Sequence, residues 1–182
     1  MINGENVYLR LPELSDLEEL YELANIEENR DFLNFYRPLS KMEEESWIKS
    51  CSEKAGKGDS YTFVIIEKNT NKVVGTTDIN NIDIIPGTGV LGITIRKEFQ
   101  NKGYGPETLK LLLKWGFKTL NLNLIIIEAI GNNERAVHVY KDKLKFKHEA
   151  TLRNRKYKNG KFQDYHILSM TKEEYDEIYG KE

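Results

Sequence analysis

The chain has one cysteine, Cys51, in 182 residues. No internal disulfide can form, and that usage suits a reducing cytoplasm. An excess of charge of either sign is also missing: 27 Lys and Arg stand against 29 Asp and Glu, so no global field marks a nucleic-acid or membrane binder. No apolar run approaches the roughly 20 residues of a membrane span. The start "MINGENVYLRL" carries no signal-peptide core, which argues against a secretory leader. The four prolines form no Pro-rich linker, and without repeats or low-complexity tracts the expectation is one domain over 1–182. His138, His148 and His166 show no ligand spacing with one another or with Cys51, so no metal site is expected. There is neither a G-x-S-x-G elbow nor a Cys–His pair to suggest a covalent nucleophile.

What is present reads as alternating strands and helices. "VYLRL" (7–11) is a strand, and Ser15 with Glu18 forms a capping signature for a helix with Leu17, Leu20, Tyr21 and Ala24 on one face. Ser40 with Glu43 repeats the signature before a helix over 41–54. "YTFVII" and "KVVGTTDI", joined by "KNTN", predict an antiparallel hairpin. "VLGITI" (90–95) is the next strand, followed by a helix over 106–118 with Leu109, Leu112, Leu113, Gly116 and Phe117 inward. "LNLIIIEAI" (122–130) is nearly continuous apolar sequence, expected of a strand covered on both faces. Asn133 caps a helix with Ala136, Val137, Tyr140 and Leu144 inward. A last hairpin turns at Asn159-Gly160, and Thr171 with Glu174 caps a final short helix. The β-α-β step over 90–130 implies one parallel pair with a right-handed crossover. The fold class is therefore mixed α/β, with a mostly antiparallel sheet and helices on both faces.

Two glycine motifs compete for a phosphate. "GTGVLG" (87–92) matches G-x-G-x-x-G, but it leads into a strand, whereas that fingerprint needs a helix opening directly from it. "QNKGYGP" (100–106) meets the requirement. It follows a strand, Pro106 suits a first helical turn, and Gly103 and Gly105 let backbone N–H groups turn toward one point at a helix N-terminus. The chain has no P-loop.

"QNKGYGPETLKLLLKWGF", then "LNL", an apolar strand and "NNERAVHVY", together resemble the GNAT superfamily of acetyl-CoA-dependent N-acetyltransferases. The branch with ribosomal-protein N-terminal and spermidine acetyltransferases is the most similar, and the resemblance spans essentially the whole chain. It implies that the pyrophosphate of coenzyme A sits on the N–H groups of Gln100, Asn101, Lys102, Gly103, Tyr104, Gly105 and Pro106's turn. It implies that the pantetheine arm pairs with the strand edge at Ile93, Thr94 and Ile95, and that Asn133 and Ala136 lie along it. Backbone N–H groups from Ile93 to Ile95 would hold the oxyanion, and Tyr140 would protonate the departing thiolate. The acceptor is a primary amine: a protein N-terminus, a polyamine, an aminoglycoside or another small amine.

Two departures from the family pattern stand out. Val90 occupies a position where relatives often carry glutamate, leaving Asp78, Asp83 and Glu128 as candidate bases, or loss of the amine proton directly to water. "YKDKLKF" has one residue more than the usual "Y-x-K-L-G-F", with Lys145 in place of glycine. The segment 28–39, with Glu28, Arg30, Asp31 and Arg37, reads as a substrate-side loop of mixed charge. "RNRKYKNGKF" (153–162) is a basic, aromatic hairpin turn that offers an RNA or acidic-substrate contact, or simply a solvated face. Family habit suggests a homodimer. The rival reading is a non-catalytic acyl-CoA-binding regulatory module on the same scaffold.

Overall fold

The structure is a computed structural model. It describes residues 1–30, 37–131, 133–158 and 160–180, without the side chains of Glu28 and Arg30. Residues 31–36 of the expected substrate-side loop and the turn residue Asn159 therefore lie outside the described residues.

Eight strands form one sheet: β1 (Ile2–Asn3), β2 (Val7–Arg10), β3 (Tyr61–Glu67), β4 (Val73–Asp83), β5 (Thr88–Ile95), β6 (Leu124–Ile130), β7 (Lys147–Lys158) and β8 (Lys161–Thr171). Their order is β1-β2-β3-β4-β5-β6-β8-β7. Only β5 and β6 run parallel, linked by α4 (Tyr104–Lys118) as the β-α-β pattern predicts. The other helices are α1 (Leu17–Asn25), α2 (Glu27–Arg30), α3 (Lys41–Lys57), α5 (Glu134–His138) and α6 (Lys172–Tyr179). No helix among the described residues is long and apolar enough to cross a membrane.

One face of the sheet carries the main core. Leu109, Leu112, Leu113 and Phe117 of α4 and Tyr175 of α6 pack on Leu9, Phe63, Ile65, Ile79, Leu91, Ile125 and Ile127. Complete burial of each such side chain contributes about 1.5–3 kcal/mol. On the opposite face, Leu20 and Leu23 of α1 and Ile48 of α3 cover Val64, Ile66 and Val73. That second layer sits over β3 and β4. On β6, Ile125, Ile127 and Ala129 are buried, while Leu124 and Ile126 are half-buried and Glu128 is exposed. The second face of β6 is covered at Ile130 and only in part at Leu124 and Ile126, which is less than the full cover expected on both faces.

Two helix starts also differ from the sequence reading. The first capping box lies two residues upstream of Ser15/Glu18. There the Glu13 N–H donates to Asp16 Oδ2 at 2.8 Å, and Arg10 grips the same carboxylate at 2.6 and 2.7 Å. The arginine on β2 draws Asp16 into the cap, so Ser15 is not needed there. The boxes at Ser40/Glu43 and Thr171/Glu174 form as expected. The helix carrying Tyr140 breaks its period: α5 passes into a π-helical turn over Val139–Lys143. There the Leu144 N–H reaches back to the Val139 carbonyl at 3.0 Å. A π-turn accommodates one extra residue, which accounts for the additional position in "YKDKLKF".

Candidate active site

The sheet opens where its two parallel strands part. Paired register runs from Thr88↔Leu124 to Leu91↔Ile127 and then stops, although β5 continues to Ile95 and β6 to Ile130. Beyond Leu91 the facing edges no longer bond to each other, and backbone polar groups there need another partner. Two cavities meet at this notch.

The first, of about 480 Å³, is lined by Ile93, Ile95, Gln100, Asn101, Gly103, Gly105, Pro106, Asn133, Ala136 and Tyr140. It also takes in Phe99, Leu109, Arg135, His138, Val139 and Lys143, which the sequence reading did not assign. At its floor the chain enters α4 through two residues in the left-handed region, Asn101 (φ 63°) and Gly103 (φ 87°). No side chain caps α4, so the first-turn N–H groups and the positive end of the helix dipole are directed at this end of the cavity. The side chain of Gln100 is already engaged: its Nε2 donates to the Ile95 carbonyl at 3.0 Å. Its Oε1 accepts from Arg135 at 2.5 Å, tying β5 to α5 across the cleft. Lys102 lies over the Phe99 ring, and the Tyr104 hydroxyl donates to Glu67 on β3. Those two side chains are occupied elsewhere and leave their main chain to the loop. Asn133 caps α5, its Oδ1 accepting from the Ala136 N–H at 3.2 Å.

The second cavity, of about 290 Å³, lies on the face that α1 and α3 leave uncovered. Asp78, Asn80, Asn81, Val90, Gly92, Thr94, Glu128 and Tyr165 line it, and it shares Ile93, Asn133 and Tyr140 with the first. No Lys, Arg or His lines it among the described residues, whereas two carboxylates do. Asp78 receives a hydrogen bond from Asn80, and burial raises its pKa above the ordinary aspartate value. Glu128 accepts from the Tyr165 hydroxyl at 2.8 Å; burial, then that carboxylate, push the Tyr165 phenol up. Asp83, the third candidate base, is set apart. It accepts the Ile85 N–H at 3.1 Å and does not line this cavity.

Tyr140 occupies the junction. It is 7% exposed, its hydroxyl bonds to no other described residue, and desolvation pushes its phenol up to about 12. The Phe146 N–H donates to the Tyr140 carbonyl at 3.0 Å, so the π-turn holds this residue from its own C-terminal side. Lys143 lines the first cavity with Ala136, Val139 and Tyr140, the i, i+3, i+4, i+7 spacing of one helix face. The sequence reading found no histidine pairing, yet His148 and His166 meet across β7 and β8. Their Nε2 and Nδ1 are 3.2 Å apart, with Thr151 Oγ1 at 3.1 Å from each. The hairpin register creates this contact. No group of three or more His, Cys, Asp or Glu able to hold a metal occurs among the described residues.

A parallel pair that splays over a helix N-terminus leaves an unpaired strand edge and uncapped N–H groups along one cleft, an arrangement that suits an extended, anionic ligand. The acetyltransferase (GNAT) domain family matches residues 6–147, and the chain belongs to that family. It is an N-acetyltransferase that takes its acetyl group from acetyl-CoA. The N-acetyltransferase p20 of Bacillus licheniformis is 28% identical over 171 residues, covering 94% of this chain and 96% of its own. The spermidine N(1)-acetyltransferase of Vibrio cholerae is 26% identical over 169 residues, covering 92% and 94%. A crystal structure of spermidine N-acetyltransferase from Vibrio cholerae with CoA and spermine superposes with a TM-score of 0.83. It is 24% identical and covers 93% of this chain and 98% of that one.

Proposed function

We propose that this single-domain enzyme acetylates a small cationic amine, with a polyamine as the leading acceptor. One observation carries the reading: the cavity beyond Tyr140 presents Asp78 and Glu128 and no basic side chain among the described residues. A positively charged amine is drawn to such a pocket, and like-charge repulsion is absent. The spermine seen in the Vibrio cholerae enzyme and the spermidine acetyltransferases among the relatives support the same class. A peptide N-terminus, which carries one charge and a chain behind it, gains less from two carboxylates.

In this reading the donor's phosphates rest on the N-terminal turn of α4, with Arg135 and Lys143 supplying countercharge. The pantetheine arm adds to the free edge of β5 at Ile93–Ile95, and the Asn133 amide reaches it from the other wall. The acceptor enters from the acidic face, so the neutral nitrogen meets the thioester carbonyl beside Tyr140. Backbone N–H groups of Ile93–Ile95 hold the carbonyl oxygen as charge develops there. Burial keeps the Tyr140 phenol protonated throughout the neutral range, so a proton is always available for the sulfur. The lone, buried Cys51 supports a reducing cytoplasmic setting. The exposed Leu152, Tyr157 and Phe162 of the β7/β8 hairpin support self-association.

The test is thiol release from acetyl-CoA against spermidine, spermine, aminoglycosides and short peptides with varied N-termini. Polyamines are expected to give the highest kcat/KM; a preference for peptides would replace the acceptor assignment. Tyr140→Phe is expected to lower kcat about 10²–10⁴-fold while the calorimetric Kd for acetyl-CoA stays within twofold. Equal turnover by the variant would remove Tyr140 from the chemistry.

A further inference from the structure

Attack on the thioester needs a neutral amine, yet the enzyme has Val90 where relatives often have glutamate. The adjacent strand offers a carboxylate in its place. Asp78 of β4 lies opposite Gly92 of β5, and Asn80 lies opposite Val90, so these four residues share one face of the sheet. All four line the cavity that ends at Tyr140. Gly92 leaves the carboxylate uncovered: a β-carbon there would stand 3.0 Å from Asp78 Oδ2 and 3.1 Å from Oδ1. Asn80 donates to Oδ1, and Oδ2 receives no hydrogen bond from a described residue. Among the described residues no cation forms an ion pair with the group. A carboxylate withdrawn from water without a countercharge is destabilising, which makes it a poor structural device and a good site for an incoming ammonium. The other candidates are committed: Glu128 to the Tyr165 hydroxyl and Asp83 to its own turn.

We propose that Asp78 is the general base of this enzyme, taking the proton from the acceptor ammonium; this rests on the cationic-amine acceptor proposed above. The charge balance is complete. R–NH₃⁺ passes one proton to the Asp78 carboxylate, and the freed lone pair forms the N–C bond at the thioester carbonyl. The C–S bond then breaks, and the sulfur takes the Tyr140 phenolic proton. The nascent amide nitrogen gives its surplus proton back to Tyr140, and Asp78 releases its proton to water. One amide, one thiol and one solvent proton result.

Few groups compete for this role around Asp78. Its own strand presents Asn80, and β3 presents Thr62, its register partner. From α3 come Cys51, whose thiol is raised by burial and in part by Asp78, and Glu44 beside it. The β5 side is Gly92, and Glu128, Tyr165 and Tyr140 face it across the cavity. The cation near this group, Lys54 of α3, acts on the Cys51 thiol and is not among the causes that shift Asp78, which are burial and the Asn80 hydrogen bond. Burial raises its affinity for a proton, which brings it nearer to the range a base needs at neutral pH.

The experiment is the pH dependence of kcat/KM for spermidine with the full-length enzyme and Asp78→Asn. The variant is expected to lose about 10²-fold at pH 7, and the deficit should shrink steadily toward pH 10, where the amine loses its proton unaided. Acetyl-CoA affinity should be unchanged. Gly92→Ala, which leaves Asp78 in place but covers it, should show the same pH-dependent deficit, and it decides the matter if Asp78→Asn does not fold. A deficit equal at every pH would make Asp78 a shaping residue and overturn the proposal, as would unchanged kinetics. Absence of turnover by the unmodified enzyme on every amine would sink the transferase reading itself, and the base with it.

Discussion

Lys145 turns the chain just beyond the π-helical turn with φ of 66°, where a β-carbon crowds the backbone by about 1–2 kcal/mol. Glycine has no such penalty, but it loses more freedom on folding, by about 0.5–1 kcal/mol. The strain term is the larger, so Lys145→Gly is expected to stabilise the enzyme by up to about 1 kcal/mol. Urea unfolding reads this directly: the midpoint should rise with an unchanged slope, and a fall would show that the lysine side chain makes a contact worth more than the strain. The resemblance to the family pattern "Y-x-K-L-G-F" marks this position as one where a glycine is usual, and the left-handed conformation common at a helix C-terminus supplies the physical reason. Asn133 as a cap and Tyr140 on an inward helix face could be read from local chemistry, whereas a part in a site for either came only with the family resemblance. Arg135, His138 and Lys143 were not legible, because charged residues on a helix read as solvated positions and only the folded cleft brings them to the cavity.

At the scale of elements, the caps, hairpins and parallel pair could be read from local chemistry, but the notch between β5 and β6 could not. Hydrophobic alternation reports which side chains are buried, not whether two neighbouring backbones bond along their full length. Ile93, Ile95, Ala129 and Ile130 look like ordinary strand residues whether or not the strands part. The position of β5 is set from its other side by β4. A β-carbon on Gly75 would lie 2.0 Å from the Thr94 carbonyl oxygen and 3.0 Å from the Ile95 Cα. These are backbone atoms, which cannot move without disturbing the strand. Gly75→Ala should therefore cost about 3 kcal/mol, the upper part of the usual range for overpacking. It should also weaken acetyl-CoA binding, because the displaced residues lie on the strand edge proposed above for the donor. Calorimetry and denaturant unfolding separate the two effects. Lost stability with an unchanged Kd would mean that β5 relaxes away from the cleft.

Over the whole molecule, carboxylates of two kinds oppose each other as pH changes. Asp16, Glu43 and Glu174 sit at helix starts. Burial alone would raise Asp16, but the Arg10 hydrogen bonds and the Glu13 N–H outweigh it and hold the group below its ordinary value. Arg37, then the Ser40 N–H, bring Glu43 to about 2; Lys147, then the Thr171 N–H, lower Glu174. With folded values below unfolded ones, their contribution is present above the ordinary carboxylate range and is lost as pH falls through the folded values. Asp78 and Glu44 are raised by burial. The folded state therefore binds their protons more readily, and stability declines as pH rises from their ordinary values through the raised ones. Asp78→Asn removes one of those declining contributions. Its thermal midpoint at pH 7 is expected to equal or exceed that of the unmodified enzyme, with the advantage fading toward pH 4. Asp16→Asn should do the reverse, losing stability at pH 7 and little near pH 2. Melting curves from pH 2 to 8 test both. A variant lacking Asp78 that is less stable at every pH would mean that the carboxylate is held by favourable contacts, and that a base poised without a countercharge is the wrong picture of this cavity.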